Sequence, residues 1–182
     1  MPSIQVSHPV FAPIAVECNG KRETLYSPGV QIGNMVTVST AENFIPIPAY
    51  AGGGFVFKDA SIAVNTTSVP ILAYEIMFGL KVNGNTLKDP PKVGVWGGFG
   101  YIEGNINENC EYEVVATWIK RCIFTPPPVS RVSRFNGKVT LTTPSFTGQA
   151  FLDGSPEWRD RVIFDNPVDA INFLKFKAGI GE

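Results

Sequence analysis

The segment Glu111–Phe124 constrains the fold more than any other part of the chain. Apolar and polar residues alternate at its start, as they do in a strand with one buried face. Towards its centre both faces become apolar, and the prolines Pro126–Pro128 end it. A strand that is apolar on both faces needs something packed against each of them. The segment therefore predicts a layered β fold, in which one face of this strand contacts a second sheet or another subunit.

Other segments predict further strands joined by tight turns. Asn-Gly pairs are typical of hairpin turns, because both residues tolerate positive φ angles. Three such pairs are present, Asn19-Gly20, Asn83-Gly84 and Asn136-Gly137. Further strands are predicted at Val30–Ser39, Phe55–Val64, Lys138–Leu152 and Arg161–Phe164. In Phe55–Val64 the apolar parity slips by one residue near Lys58, which indicates a β-bulge.

A helix is predicted in the middle of the chain. Its apolar residues recur at helical spacing and form one stripe. Thr67 and Ser68 are candidate caps, Pro70 fits the first turn, and Gly79 can end the helix. The stripe consists of Val69, Leu72, Ala73, Ile76 and Leu80.

A second helix is predicted over 166–178, with Asn166 as N-cap, Pro167 at its first position and Gly179 after its end. Its predicted buried residues are Ala170, Ile171 and Leu174. The order of many strands and two helices predicts a mainly β chain in one domain, 1–182. We expect an antiparallel β-sandwich or barrel with a flanking mid-chain helix and a C-terminal helix. Residues 1–23 are expected to form an amino-terminal arm and hairpin.

Two long loops are the predicted interaction segments. Residues 40–54 contain Pro46 and Pro48, which forbid a central strand, yet they carry several apolar side chains. Such side chains either pack on their own domain or contact a partner. The second loop, 125–137, starts with a stiff run of prolines and continues with basic and aromatic residues; an ordinary surface loop is the alternative. The predicted interface residues are Phe44, Ile45, Ile47, Tyr50, Arg131, Arg134 and Phe135.

Charge is segregated along the chain, although the net charge is only −1. Residues 103–113 carry four acidic side chains and no basic one, whereas residues 120–138 carry five basic side chains and no acidic one. Opposite patches on one domain can join copies head to tail, which gives closed rings or open stacks. Local charge segregation without a partner, or weak nucleic-acid contact by the basic loop, are the alternatives.

The residue types that carry catalysis are scarce. His8 is the single histidine, so histidine-based metal sites and Ser–His or Cys–His catalysis have one candidate. The acidic residues of 103–113 are interpreted as a solvated turn rather than a glycosidase carboxylate pair. The glycine-rich residues 97–100 match no phosphate-binding motif. We therefore expect no enzymatic activity, no cofactor and no metal. The amino terminus has no pattern of a secretion signal, and no apolar run reaches the roughly 18 residues of a membrane span.

The order of these segments resembles the major tail protein, or tail tube protein, of long-tailed non-contractile bacteriophages. The likeness covers roughly residues 24–178 and is carried mainly by the C-terminal half. The residues that carry it are Tyr112, Trp118, Phe124-Thr125-Pro126, Arg131 to Lys138, Leu141 to Gly148, Trp158-Arg159, Phe164-Asp165, Ala170-Ile171 and Phe173-Leu174-Lys175. Family members often have an acidic stretch where this chain has the apolar, proline-containing residues 42–54.

The resemblance implies a structural virion protein without catalysis or cofactor. Copies would form rings, expected to be hexameric, that stack into the hollow tail tube through which genome DNA reaches the host. The implied partners are the protein itself, a tape-measure protein and tail-end or terminator proteins, and no membrane. The implied location is the virion tail, after assembly in the host cytoplasm. Glu108 and Glu111 are expected to line the lumen, which DNA would cross without tight binding.

Two other functions fit the residues. A head decoration protein, or another β-rich virion protein, would share the composition without stacking into tubes. A carbohydrate-binding β-sandwich would use Trp96, Phe99 and Tyr101 as a stacking platform, unless these rings pack in the core.

Overall fold

The computed structural model describes residues 3–16, 24–33, 35–84, 86–128 and 144–181. This part of the chain is mainly β, with two helices. The strands are β1 (Ser3–Val16), β2 (Leu25–Tyr26), β3 (Val30–Gln31), β4 (Met35–Pro46), β5 (Phe55–Thr66), β6 (Lys81–Asn83), β7 (Thr86–Lys88), β8 (Gly97–Ile106), β9 (Tyr112–Phe124), β10 (Ser145–Ala150) and β11 (Arg159–Phe164). The helices are α1 (Ile71–Ile76) and α2 (Pro167–Ala178), and a short 3-10 turn covers Ala49–Ala51.

The long strands form one antiparallel sheet that closes on itself. The order is β10-β5-β4-β1-β8-β9, and β10 pairs with β9 as well as with β5. β11 extends the second edge of β9, while β2 and β3 continue the edge of β1 beyond β4. The seam between β1 and β4 is short, with the pairs Val6–Val36 and Ser7–Met35. This confirms the predicted antiparallel β-sandwich or barrel with flanking helices.

Aromatic rings fill the inside of the barrel. Phe124 contacts Phe11, Phe99 and Phe146, with ring centroids 6.2, 5.1 and 5.5 Å apart. These pairs are edge-to-face, the arrangement that the charge distribution of aromatic rings favours. Residues of α1 and the turn after it, including Met77, belong to the same buried cluster. The helix therefore closes one end of the barrel.

A second core lies outside the barrel, between β9 and α2. Val114, Ala116 and Trp118 of β9 are buried against Ala170 and Leu174 of the helix. Both faces of β9 are thus covered, as its apolar residues require. The covering element is a helix of the same chain rather than the second sheet or other subunit that the pattern suggested, because a helix can also present a continuous apolar stripe.

Glycines of β8 make room for the largest side chain of this second core. A Cβ on Gly100 would lie 2.7 Å from the Trp118 ring and 2.7 Å from Leu174, and one on Gly98 would overlap the Trp118 ring. Trp118 is fully buried and contacts Tyr26 edge-to-face at 5.0 Å between centroids. Gly98 and Gly100 therefore leave the space in which Trp118 packs against α2.

The C-terminal helix has the predicted ends. The side chain of Asn166 accepts a hydrogen bond from the backbone N–H of Asp169, and Pro167 occupies the first helical position. Gly179 follows the helix in a left-handed conformation, which a residue without Cβ adopts at low cost. Of the predicted stripe, Ala170 and Leu174 are buried and Ile171 is half-buried.

The mid-chain helix is shorter than predicted and is capped differently. It spans six residues, and its N-cap is Pro70, without a side-chain cap from Thr67 or Ser68. Ala73 and Leu80 are buried as predicted, but Leu72 is 52% exposed. A helix of six residues makes fewer than two turns. It therefore cannot present all five residues of the predicted stripe, which runs from Val69 to Leu80, on one face. The residues after Ile76, rather than a longer helix, complete the buried contact.

Strand β1 corrects the prediction of an amino-terminal arm over 1–23, while its antiparallel pairing with β2 agrees with the predicted hairpin. It lies inside the sheet, between β8 on one edge and β4, β3 and β2 on the other. Pro9 is accommodated because the register with β8 shifts between Ser7 and Val10, where His8 has a φ of 52°. A bulge removes the requirement for a paired N–H at the proline.

The first seven residues of the loop predicted over 40–54 are strand. β4 continues to Pro46 and pairs with β5 as far as Phe55, so the loop proper is 47–54. The N–H of Ile47 points towards β5, where it donates to Gly54. Because successive residues of a strand direct their nitrogens to opposite edges, the nitrogen of Pro46 faces the unpaired edge, where no N–H is needed. The predicted bulge near Lys58 is confirmed, since Asn43 pairs with Asp59 and Phe44 with Phe57.

Several predicted features fall outside the described residues. Residues 129–143 include most of the second interface loop, the Asn136-Gly137 pair and the start of the strand predicted at Lys138–Leu152, of which β10 is the described part. The Asn19-Gly20 pair also lies outside them, while the predicted hairpin at Asn83-Gly84 is present between β6 and β7.

Candidate self-association surface

The hairpin of β4 and β5 extends beyond the barrel as an arm, residues 43–59. β10 pairs with β5 only between Ala60 and Asn65. The five β5 residues before Ala60 therefore extend past this neighbour by roughly 16 Å, at about 3.3 Å per residue. Their only strand partner within the described part of the chain is β4. A two-stranded ribbon of this kind needs support at its base.

Trp158 and Arg159 provide that support. The ring of Trp158 stacks on Phe57 at 5.2 Å between centroids and 10° between planes, and the Arg159 guanidinium lies 4.4 Å from the Trp158 ring centroid. Arg159 also donates to Glu42 at 2.7 Å and forms an ion pair with it. The arm is thus held at its base by packing and by a charged hydrogen bond.

The tip of the arm is apolar and faces solvent. Tyr50 is 93% exposed, and Phe55 is 73% exposed. Phe44 and Ile45, two of the predicted interface residues, are about half exposed, and Ile47 is half-buried. The structure therefore brings the four predicted residues of this segment together on one ribbon. Phe55 and Val56, which the sequence placed in an ordinary strand, are also exposed on this ribbon.

The outer edge of β4 is also available. Beyond Val36, the strand separates from β1 and has β5 as its only strand neighbour within the described residues. An unpaired edge offers backbone N–H and C=O groups to another strand. The adjoining sheet face carries small uncharged side chains and forms a shallow groove, lined among others by Ser39, Ser61, Ala63, Thr147 and Gln149.

The predicted acidic residues Glu108 and Glu111 lie in the turn between β8 and β9. Asn107 organises this turn: its side-chain oxygen accepts from the N–H groups of Asn109 and Glu111, and its amide donates to Glu111 and Glu113. Glu108 and Glu111 are exposed. Within the described part of the chain, neither forms an ion pair. The turn is thus an ordered, solvated acidic end of the barrel.

The remaining predicted interface residues, Arg131, Arg134 and Phe135, lie outside the described residues. The proposed carbohydrate platform does not form a surface, because Phe99 and Tyr101 are buried in the barrel and only Trp96 is partly exposed. Burial, followed by the nearby Glu103 carboxylate, raises the pKa of Tyr101 to about 12.

An ion-pair network that the sequence did not indicate lies on the side of the barrel. Lys120 lies 3.1 Å from Asp160, which also pairs with Lys177 of α2 at 3.3 Å. Nearby, Asp153 is buried and accepts from Thr24 and Ser155. These contacts join α2, β11 and the segment before it to β9. Lys120 lies more than thirty residues before Asp153 and Asp160, so no local motif signals this network.

The environment of Asp153 and of Cys122 shifts the pKa of each group. Burial would raise the pKa of Asp153, but the hydrogen bonds from Ser155 and Thr24 outweigh it and lower this pKa below its usual value. Burial raises the pKa of the Cys122 thiol well above its usual value, so this thiol stays protonated. Cys110 is exposed in the acidic turn.

Within the described ranges, no group of three or more His, Cys, Asp and Glu side chains is placed to hold a metal ion. No helix in the same ranges is long and apolar enough to cross a membrane. Comparison with protein-family models and with curated protein sequences finds no match to the chain.

Proposed function

We propose that the chain is a structural virion protein that self-assembles into rings, and that these rings stack into the tail tube of a long-tailed bacteriophage. The proposal rests on the resemblance of the segment order to tail tube proteins. The observation that carries it further is the arm, a preformed β ribbon with an exposed apolar tip. Several exposed apolar side chains at one end of a small domain indicate an interaction site.

The free edge of β4 supports the same proposal. An edge strand that continues past its neighbour can accept a strand from a second copy, which joins sheets from chain to chain. The uncharged groove beside it is compatible with a channel for DNA, because it offers no cation to the phosphates. In this proposal genome DNA, a tape-measure protein and terminator proteins are the other partners.

The first test is negative-stain electron microscopy of the purified chain over a range of concentrations, with light scattering on the same samples. We expect rings or hollow tubes of uniform diameter, and a scattering intensity that rises steeply above a critical concentration. A monomer that persists at the highest attainable concentration would contradict self-assembly. Irregular aggregates without a constant diameter would contradict the tube.

A further inference from the structure

We propose that the end of the barrel formed by α1 and the β6–β7 hairpin, residues 71–84 and 86–93, is the surface that receives the arm of a second copy. We call it the receiving end. The inference rests on the proposed function and names the partner surface of the arm. It commits to a second copy of this chain as the occupant.

The topology places the arm and the receiving end at opposite ends of the barrel. β5 runs from the arm at Phe55 to Thr66, and α1 follows it directly. The β6–β7 hairpin lies between α1 and the start of β8 at Gly97. The other end of β8, at Ile106, leads into the acidic turn, at the end of the barrel towards which the arm extends. One copy can therefore present its arm to the receiving end of the next.

Both surfaces expose apolar side chains. The receiving end carries Ile71 and Leu72 on α1, Leu87 on β7 and Val93 after it, and all four are exposed. The arm presents aromatic and branched residues of its own. Contact between the two surfaces would remove apolar area from water on both copies.

The charges of the two ends are complementary as well. Lys81 and Lys88 are exposed and directly opposite each other in the β6–β7 pairing, an arrangement of like charges that is unfavourable without an anion nearby. Lys92 adds a third positive charge, and Glu75 and Asp89 contribute two negative charges, so the receiving end carries a net charge of +1. In the described part of the chain these lysines form no ion pair, whereas lysines on the barrel side do.

The acidic turn lies at the end of the barrel that carries the arm. Glu108 and Glu111 are likewise exposed and form no ion pair within the described ranges. A neighbour that brings its arm to the receiving end also brings this turn towards the lysines. The proposal gives Glu108 and Glu111 a contact between copies, in place of the lumen-lining role expected from the resemblance.

Such a contact joins two different surfaces, so it does not end at a dimer. A heterologous contact of this kind continues as a closed ring or an open stack. By contrast, a contact of arm with arm would be self-complementary and would stop at two copies. The two arrangements predict opposite results when variants are mixed.

The test uses two full-length variants, an arm variant, Tyr50→Ser with Phe55→Ser, and a receiving-end variant, Leu72→Ser with Leu87→Ser. All four side chains are exposed, so both variants are expected to fold, which circular dichroism and thermal melts check. We expect each variant alone to need at least about ten-fold more protein for assembly than the wild-type chain. Mixed together, they should pair one to one through this contact, because one intact arm then meets one intact receiving end, and the contact cannot continue to a third copy.

The mixing result separates the two arrangements. If the receiving-end variant assembles as readily as the wild-type chain, the proposed receiving end is wrong, while self-assembly itself stands. If the wild-type chain never assembles, the proposed function fails and this inference fails with it. If the mixture stays monomeric under conditions where the wild-type chain assembles, the pairing of these two surfaces is overturned.

A charge exchange tests the lysines independently. Lys81→Glu with Lys88→Glu should raise the critical concentration, and adding Glu108→Lys with Glu111→Lys to the same chain should restore it towards the wild-type value. Arg161→Glu, an exposed change on the side of the barrel, is the control and should leave it unchanged. If the exchanged chain assembles no better than the first variant, these charges do not meet.

Discussion

The arm offers a quantitative prediction. Tyr50 is 93% and Phe55 73% exposed, and full burial of a large apolar side chain contributes about 1.5–3 kcal/mol. If both side chains become buried on association, replacing them with serine costs each contact roughly 3 kcal/mol. Since about 1.4 kcal/mol corresponds to a factor of ten, the critical concentration should rise about 100-fold.

The stability of the isolated monomer should not change to the same degree. Both side chains already face water, and surface substitutions usually alter the free energy of unfolding by no more than about 0.5 kcal/mol. Light scattering against concentration measures assembly, and calorimetry measures the melting temperature. The expected result is a large shift in the first and a melting temperature within about 2 °C of the wild-type value.

A matched control separates burial at the arm from a general loss of apolar surface. Val168→Ser with Phe176→Ser removes two side chains of α2 that are 63% and 83% exposed. This variant should assemble like the wild-type chain. Equal assembly of the arm variant and the control, or equal loss in both, would refute the reasoning.

Three further predictions concern the monomer. Gly98→Ala should destabilise the fold by about 1–3 kcal/mol, because its Cβ would overlap Trp118, while Gly181→Ala, in open space, should not; thermal melts compare them. Asp153→Asn should reduce the loss of stability on acidification. The pKa of Asp153 is lower in the folded state than in the unfolded state. Its contribution to the free energy of unfolding is therefore complete above the unfolded pKa and falls as the pH drops towards the folded pKa. Burial, followed by Lys175, lowers the pKa of His8, so stability should rise with pH up to its unfolded pKa of about 6.5, and His8→Asn should flatten that slope in denaturant titrations.

Much of the fold could be predicted from local patterns. The strand at Glu111–Phe124 and the capped helix after Asn166 were predicted because alternation and capping chemistry act over a few residues. The bulge at Lys58 showed itself as a slip in parity. By contrast, the position of β1 inside the sheet depends on which strands it pairs with, and pairing partners leave no local trace.

The candidate self-association surface could also be predicted only in part. The apolar character of residues 40–54 was visible in the sequence, but the two prolines indicated a loop. Only the pairing with β5 shows that the segment continues as strand to Pro46 and that Phe55 belongs to the same ribbon. Trp158 and Arg159, which support the base of the arm, lie more than a hundred residues from it in the sequence, so no spacing rule could have found this contact.

The support of the arm by Trp158 and Arg159 affects the kinetics of association. A loop that becomes ordered only on binding loses conformational entropy of about 1–2 kcal/mol for each residue it fixes. The arm is already paired along both strands and stacked on Trp158 in the single chain, so most of that entropy is lost during folding. Two copies could then meet as nearly rigid bodies, and the rate of growth would depend on the orientation of each collision rather than on a slow rearrangement of the arm.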